Sequence, residues 1–161
     1  MAKTNITKTN AARLLDKADI KYNLVPYEVD PDNLDAIHVA KSLGEDVNQV
    51  FKTLVLHSDK GHFVCVVPGN AEVDLKKAAK AMKAKKAELI PMKELLPLTG
   101  YIRGGCTPIG MKKPFPVFFH TTAIGYENIY ISAGMRGLQL KVTPSDIVRY
   151  TNGVVTDLIK E

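Results

Sequence analysis

The sequence predicts an α+β fold: a single domain with a mixed, mostly antiparallel sheet, curved or barrel-like, carrying short flanking helices. Three observations predict it. Two apolar β-type runs, residues 51–57 and 62–67, flank Ser58-Asp59-Lys60-Gly61 and read as an antiparallel hairpin. Further strand-type runs recur downstream at hairpin-like spacings, about six or seven in all. The helix-type runs between them are short and lack the regular strand–helix alternation of a doubly wound sheet.

Taken in order, Thr9 and Asn10 stand before Ala11-Ala12-Arg13-Leu14-Leu15, an N-cap followed by a short helix. Residues 21–29, with Tyr22, Leu24, Val25 and Tyr27, read as a strand, and Asp30-Pro31-Asp32-Asn33 as a turn. Asp35 caps a helix through Ile37, Val39, Ala40 and Leu43 that Gly44 ends. After the hairpin, Asp74 caps a helix on which Leu75, Ala78, Ala79 and Met82 share one face. Residues 87–90 read as a short strand, and 92–98 as a short helix broken by Pro97. Tyr101-Ile102-Arg103 is strand-like and runs into Gly104-Gly105. Residues 117–122 and 128–132 read as a second antiparallel pair, 138–142 as a further strand and 154–159 as the last one. Between these last two, Thr143-Pro144 opens a helix with proline in its first turn.

Length and composition fit this. A chain of 161 residues, 45% hydrophobic and 24% charged, has the ordinary balance of one soluble domain, residues 1–161. No apolar run is long enough to span a bilayer, so no membrane partner is expected, and the first residues lack a secretory h-region. Two cysteines, Cys65 and Cys106, form no disulfide framework, which points to a reducing cytoplasm. A net charge of +5 is compatible with a polyanionic partner.

Three local features carry chemical interest. In residues 99–111 (TGYIRGGCTPIGM) the adjacent glycines either let a ligand approach the main chain or mark a sharp corner of the sheet. Lys52 shares a strand face with Leu54 and Leu56, so its ammonium is either held inside or snorkels to water. Lys76, Lys80 and Lys83 line the polar side of the helix after Asp74, either as a solvated face or as a phosphate-contacting patch. Nothing resembles a GxSxG elbow, an HExxH pair, a Walker A loop or a dinucleotide fingerprint, and the four histidines have no metal-ligand spacing. No metal or cofactor is expected. Cys106 lacks an assignable base, so an enzyme of this sequence would act on a labile substrate or one that brings its own reactive group.

Four segments occur in a specific order: VFKTLV at 50–55, LKKAAK at 75–80, TGYIRGGCTPIGMKK at 99–113 and IYISAGMRGL at 129–138. Together they resemble the YbaK/EbsC family of bacterial Cys-tRNA(Pro) deacylases, relatives of the editing domain inserted in bacterial prolyl-tRNA synthetases. The resemblance covers nearly the whole chain. It implies trans-editing: removal of cysteine from mischarged Cys-tRNA(Pro), and from Cys-tRNA(Cys) in some members, with the aminoacyl-tRNA 3′ end and prolyl-tRNA synthetase as partners. The implied chemistry needs no enzyme nucleophile, because the cysteinyl thiol attacks its own ester.

Residue by residue, the resemblance implies that Lys52 acts on the terminal adenosine and on charge at the ester. Thr53, Ser132 and Tyr27 match pocket residues. Gly104 and Gly105 offer main chain to the substrate, Gly104 through its carbonyl, and Thr107 keeps the hydroxyl that many members supply as serine. Lys76, Lys80, Lys83, Lys112 and Lys113 are candidate RNA contacts. Two positions depart from enterobacterial relatives: Leu34 stands nearest to where they carry phenylalanine, and Gln139 replaces an aspartate. Two other functions share these features, an editing domain for a different amino acid such as alanine and a noncatalytic tRNA- or synthetase-binding module. Oligomeric state is open.

Overall fold

The computed structural model describes residues 8–161. Local capping chemistry sets most element boundaries. Helix α1 (Asn10–Lys17) begins where the Thr9 hydroxyl accepts the Ala12 N–H at 3.2 Å, and it buries Ala11, Ala12 and Leu15. Strand β1 (Tyr22–Pro26) is shorter than its apolar run. Helix α2 (Ala36–Leu43) begins with the Asp35 carboxylate accepting the His38 N–H at 2.9 Å and ends at Gly44 in the left-handed region.

Strands β2 (Phe51–Ser58) and β3 (Gly61–Pro68) form the expected hairpin. Helix α3 (Leu75–Ala81) is capped by Asp74 and precedes β4 (Ala87–Leu89). Helix α4 (Leu95–Thr99) contains Pro97 rather than being broken by it. Pro97 lies in the first turn, where its missing N–H has no helical partner to lose. Strand β5 (Val117–His120), strand β6 (Ile129–Met135), strand β7 (Leu138–Val142), helix α5 (Pro144–Tyr150) and strand β8 (Val154–Thr156) complete the described chain.

The strands form two open sheets, not a closed barrel. One has the order β1-β7-β6 and is antiparallel throughout; the other, β4-β2-β3-β5-β8, is antiparallel as far as β3 and parallel beyond it. The sheets meet at one isolated parallel bridge between Val50 and Tyr130. The α+β class with short flanking helices therefore holds.

One pairing differs from the sequence expectation. Strands β5 and β6 do not pair with each other: β5 runs parallel to β3 and β8, and β6 pairs with β7 in the other sheet. The link between them begins with a 3-10 turn, Thr121–Gly125, and carries the chain from one sheet to the other. Tyr101-Ile102-Arg103 is loop, not strand.

Alternation along β2 and β3 builds two cores. Phe51, Val55, Val64 and Val66 face a core shared with Ile129, Ile131, Leu138 and Leu140 of the other sheet and with α1. Leu56, Phe63, Cys65 and Val67 face Ala78 and Ala79 of α3. β3 is thus buried on both faces, whereas the start of β2 is not, and that asymmetry places the cavity.

Candidate active site

β3 pairs with β2 along its whole length, but β4 covers the other edge of β2 only from Leu56 to Ser58. The uncovered half of that edge faces a cavity of about 500 Å³. This size suits a small-molecule site, for which about 300–1,000 Å³ is typical. Residues 51–55 form one wall, and Arg103, Gly104 and Cys106 of the glycine loop line the cavity too. Ser132 and Gln139 add two buried polar groups. Leu34 and Asp35, at the start of α2, and the apolar side chains Leu89, Met92 and Leu95 complete the rim.

Lys52 is half-buried, and its Nζ donates to the Gly69 carbonyl at 3.4 Å. Loss of water on burial holds its pKa below the ordinary 10.5, against the opposing pull of the Glu72 and Asp35 carboxylates. Gly69 is required by space. A Cβ there would fall 2.4 Å from the Ala36 Cβ and 2.9 Å from the Val50 carbonyl oxygen. Its bare backbone lets the start of α2 pack against β2 and gives the lysine its acceptor.

The glycine loop is pinned at its base and at its tip. The Lys112 N–H donates to the Thr99 carbonyl at 3.1 Å, and the Tyr101 hydroxyl donates to the Ile109 carbonyl. Near the tip, Arg136 Nε donates to the Arg103 carbonyl at 2.8 Å. Gly104 follows with φ +86°, and a Cβ there would approach the Arg136 side chain to 3.3 Å, so the position favours glycine on both counts. Cys106 is pushed up to about 12 by burial, which leaves its thiol protonated at neutral pH and a poor nucleophile.

Ser132 on β6 and Gln139 on β7 are register partners and lie directly opposite each other. The Ser132 oxygen accepts the Gly134 N–H at 3.1 Å, leaving its own proton free to donate. Gln139 is 5% exposed, and its Oε1 has no partner among the described residues; neither has the Thr53 Oγ1. A buried acceptor left empty costs about 1–3 kcal/mol, so a cavity lined by two of them is suited to a ligand that brings donors.

The structure thus brings Lys52, Thr53, Gly104 and Ser132 to one cavity, together with both departing positions, Leu34 and Gln139. It does not bring Tyr27, Gly105 or Thr107 to the cavity lining. Tyr27 packs beside Val39 and Tyr130 under α2. Gly105 is buried against the Met135 backbone, and Thr107 is fully buried with an unpartnered hydroxyl. Lys112 and Lys113 are exposed beyond the loop.

Lys76, Lys80 and Lys83 are exposed on and just after α3, while Lys77 between them is tied to Asp157 at 2.9 Å. Lys76 lines a shallow groove that shares Leu89 with the cavity. Sequence reasoning missed Asp35 as a lining residue, having read it as a cap alone. It also missed the Arg136 clamp, whose only signal was an arginine beside a glycine. Among the described residues, no helix is long and apolar enough to cross a membrane, and no cluster of ligating side chains could hold a metal ion.

A mixed α+β scaffold with a half-buried lysine and a glycine loop lining one cavity defines the class. Residues 30–150 match the family model described as the aminoacyl-tRNA editing domain, and the chain belongs to that family. Aminoacyl-tRNA is therefore the class of molecule on which this domain acts. Within the family, the chain is 45% identical over 152 residues to an Enterococcus faecalis protein named "Putative Cys-tRNA(Pro)/Cys-tRNA(Cys) deacylase EbsC", covering 94% of this chain and 93% of that one. It is 22% identical over 113 residues to the uncharacterized protein YwhH of Bacillus subtilis, covering 70% and 71% of the two chains. A crystal structure described as a putative trans-editing enzyme for prolyl-tRNA synthetase superposes with a TM-score of 0.81 at 25% identity, covering 96% of this chain and 100% of that one.

Proposed function

We propose that this protein is a trans-editing deacylase that removes cysteine from Cys-tRNA(Pro), and from Cys-tRNA(Cys) where it meets it, with prolyl-tRNA synthetase as the source of the mischarged substrate. The observation that carries the reading is the cavity in which Lys52 on β2 and Gly104 in the loop line one space with the buried Ser132 and Gln139. No side chain in it is set up as a nucleophile. The Cys106 thiol is held protonated by burial, and Ser132 has no basic side chain among its hydrogen-bond partners.

The reaction is one that the substrate can perform on itself. The cysteinyl sulfur bonds to its own ester carbonyl carbon while the carbonyl electron pair moves onto oxygen. Collapse restores the carbonyl, breaks the bond to the ribose oxygen and delivers the thiol proton to that oxygen. The products are a thiolactone and free tRNA. The protein's share is orientation, worth about 7–11 kcal/mol at best for well-aligned groups, and electrostatic support of the oxyanion by Lys52. Selectivity follows from the chemistry, since alanine and proline lack a nucleophile that can close a ring.

Lys76, Lys80, Lys83, Lys112 and Lys113 contact tRNA phosphates under this reading. The groove carrying Lys76 shares Leu89 with the cavity. Tyr27, Gly105 and Thr107 support the site from behind rather than touching the substrate.

The test is deacylation of a panel of Cys-, Ala- and Pro-tRNA(Pro), with S-methylcysteinyl-tRNA(Pro) as control and thiolactone trapped with an amine. Rapid loss of cysteine alone, abolished by S-methylation, is expected. Equal loss of the S-methylated or alanyl ester would transfer the protein to a water-dependent editor of another amino acid. Tight tRNA binding with no ester cleavage would make it a binding module.

A further inference from the structure

We infer that the open edge of β2 binds the aminoacyl group by main chain, with Thr53 pairing to it as one strand residue pairs with another; this rests on the deacylase reading above. The argument begins with hydrogen-bond parity. The hairpin closes at the Ser58–Gly61 pair, and the Gly69 N–H donates to the Val50 carbonyl at 2.7 Å. Even-numbered residues of β2 therefore direct their N–H and C=O groups toward β3. Odd-numbered residues direct theirs to the opposite edge, and the Ile90 N–H donates to the Val55 carbonyl there at 3.1 Å.

That outer edge is covered at only two places. At one end the Val50–Tyr130 bridge ties β2 to the other sheet; at the other, Ile90 and β4 cover it from Val55 onward. Between them, Thr53 is the residue with both its N–H and its carbonyl on the uncovered edge, and it lines the cavity. Its hydroxyl oxygen is buried there without a partner as well. A half-buried strand edge normally finds a partner, because unpaired main-chain groups are costly to desolvate. Here the partner is the substrate.

An α-aminoacyl ester carries both the donor and the acceptor that such an edge calls for. In a closely paired antiparallel position, two residues exchange N–H···O=C bonds in both directions. The ammonium and ester carbonyl of an aminoacyl group have the same spacing as the N–H and C=O of one strand residue. Laid antiparallel to Thr53, the ammonium donates to the Thr53 carbonyl and the ester oxygen accepts from the Thr53 N–H. That N–H then points at the oxygen on which charge develops, so Thr53 supplies an oxyanion donor alongside Lys52. The pairing ignores the amino-acid side chain, so it recognises α-amino esters as a class and leaves discrimination to the thiol chemistry.

Two measurements test this. In the first, the Thr53 residue of the full chain is replaced by its α-hydroxy acid, which turns the one N–H into an ester oxygen. Turnover of Cys-tRNA(Pro) should fall by about 10²-fold in kcat with KM changed by less than about threefold. A kcat equal to that of the unmodified protein overturns the inference. In the second, which needs no variant, amide exchange is followed by NMR on the unmodified protein, free and saturated with 3′-deoxy-3′-(cysteinylamido)adenosine. Exchange at Thr53 should slow by about tenfold or more, while Lys52 and Leu54, already bonded to β3, stay as they were. Saturable binding that leaves Thr53 unchanged overturns the inference and leaves the deacylase reading standing. Failure of the analogue to bind, together with no cleavage of any ester, removes both.

Discussion

The Lys52 ammonium lies 3.4 Å from the Gly69 carbonyl oxygen, a contact joining the first strand of the central hairpin to the residue just past the end of the second. It holds a cation half out of water with a neutral acceptor and no adjacent carboxylate. The Glu72 and Asp35 charges act from a distance and only partly offset the loss of water.

The first prediction concerns that cation. Lys52→Met should lower Cys-tRNA(Pro) deacylation by about 10²–10³-fold, the effect of losing one preorganised charge-stabilising group. It should also stabilise the fold at neutral pH. The folded pKa of Lys52 is depressed below the unfolded value of 10.5, so the unfolded chain binds the proton more tightly. The penalty on the native protein is therefore full below the folded pKa and fades as pH rises toward 10.5. Urea unfolding of both proteins at pH 7, 9 and 10.5 should show Lys52→Met ahead at pH 7 and its lead shrinking with pH. A lead that grows with pH would contradict the sign.

Gly69→Ala should be destabilising by about 1–3 kcal/mol, since its Cβ would meet the Ala36 Cβ at 2.4 Å and the Val50 carbonyl oxygen at 2.9 Å. Relief requires α2 to move outward, and with it Leu34 and Asp35 at the cavity rim. KM for the aminoacyl ester should accordingly rise more than kcat falls. Thermal unfolding and steady-state kinetics check the two parts separately.

Gln139→Leu should split stability from activity. It removes the unpartnered buried Oε1 with little change in volume, which should add about 1–2 kcal/mol of stability. The same change deprives the substrate of an acceptor beside Ser132, so turnover should drop. A less stable Gln139→Leu protein would mean that the carbonyl is satisfied in the free protein.

Reversing charge at Lys76, Lys80 and Lys83 together should weaken tRNA binding and make the plot of log K against log salt shallower by about two to three. Cleavage of a cysteinyl ester on the terminal nucleotide alone should be unaffected. An unchanged salt slope would return these exposed lysines to a merely solvated helix face.

Much of the fold was legible locally. Thr9, Asp35 and Asp74 cap the helices they were expected to cap, Gly44 ends α2, and the hairpin of β2 and β3 closes at its turn residues. These features depend on hydrogen bonds a few residues apart, which a sequence window contains. The partners of β5 and β6 were not legible. A run such as Val117-Phe118-Phe119 announces a strand, but its parallel neighbour β3 lies about fifty residues earlier, and nothing in the run specifies that pairing.

The candidate site divides the same way. Lys52 on an inward strand face and the paired glycines were visible as exceptions to pattern, and Lys52 and the first glycine of the pair, Gly104, line the cavity. Tyr27, Thr107 and Gly105, matched by resemblance, are not among the residues that line it. Asp35 and Arg136 each looked ordinary until the fold brought them to the cavity rim and the loop.

By itself the sequence determined the element types, the capped helix starts, the family and the lysine with no nucleophile beside it. Each of these is encoded by residues close along the chain or by residue identity alone. Only the tertiary structure decided that β4 stops short on β2, that two sheets meet at Val50 and Tyr130, and that an uncovered strand edge remains between them. Which edge of a strand goes unpaired depends on where distant segments end, and side-chain patterning carries almost no record of that.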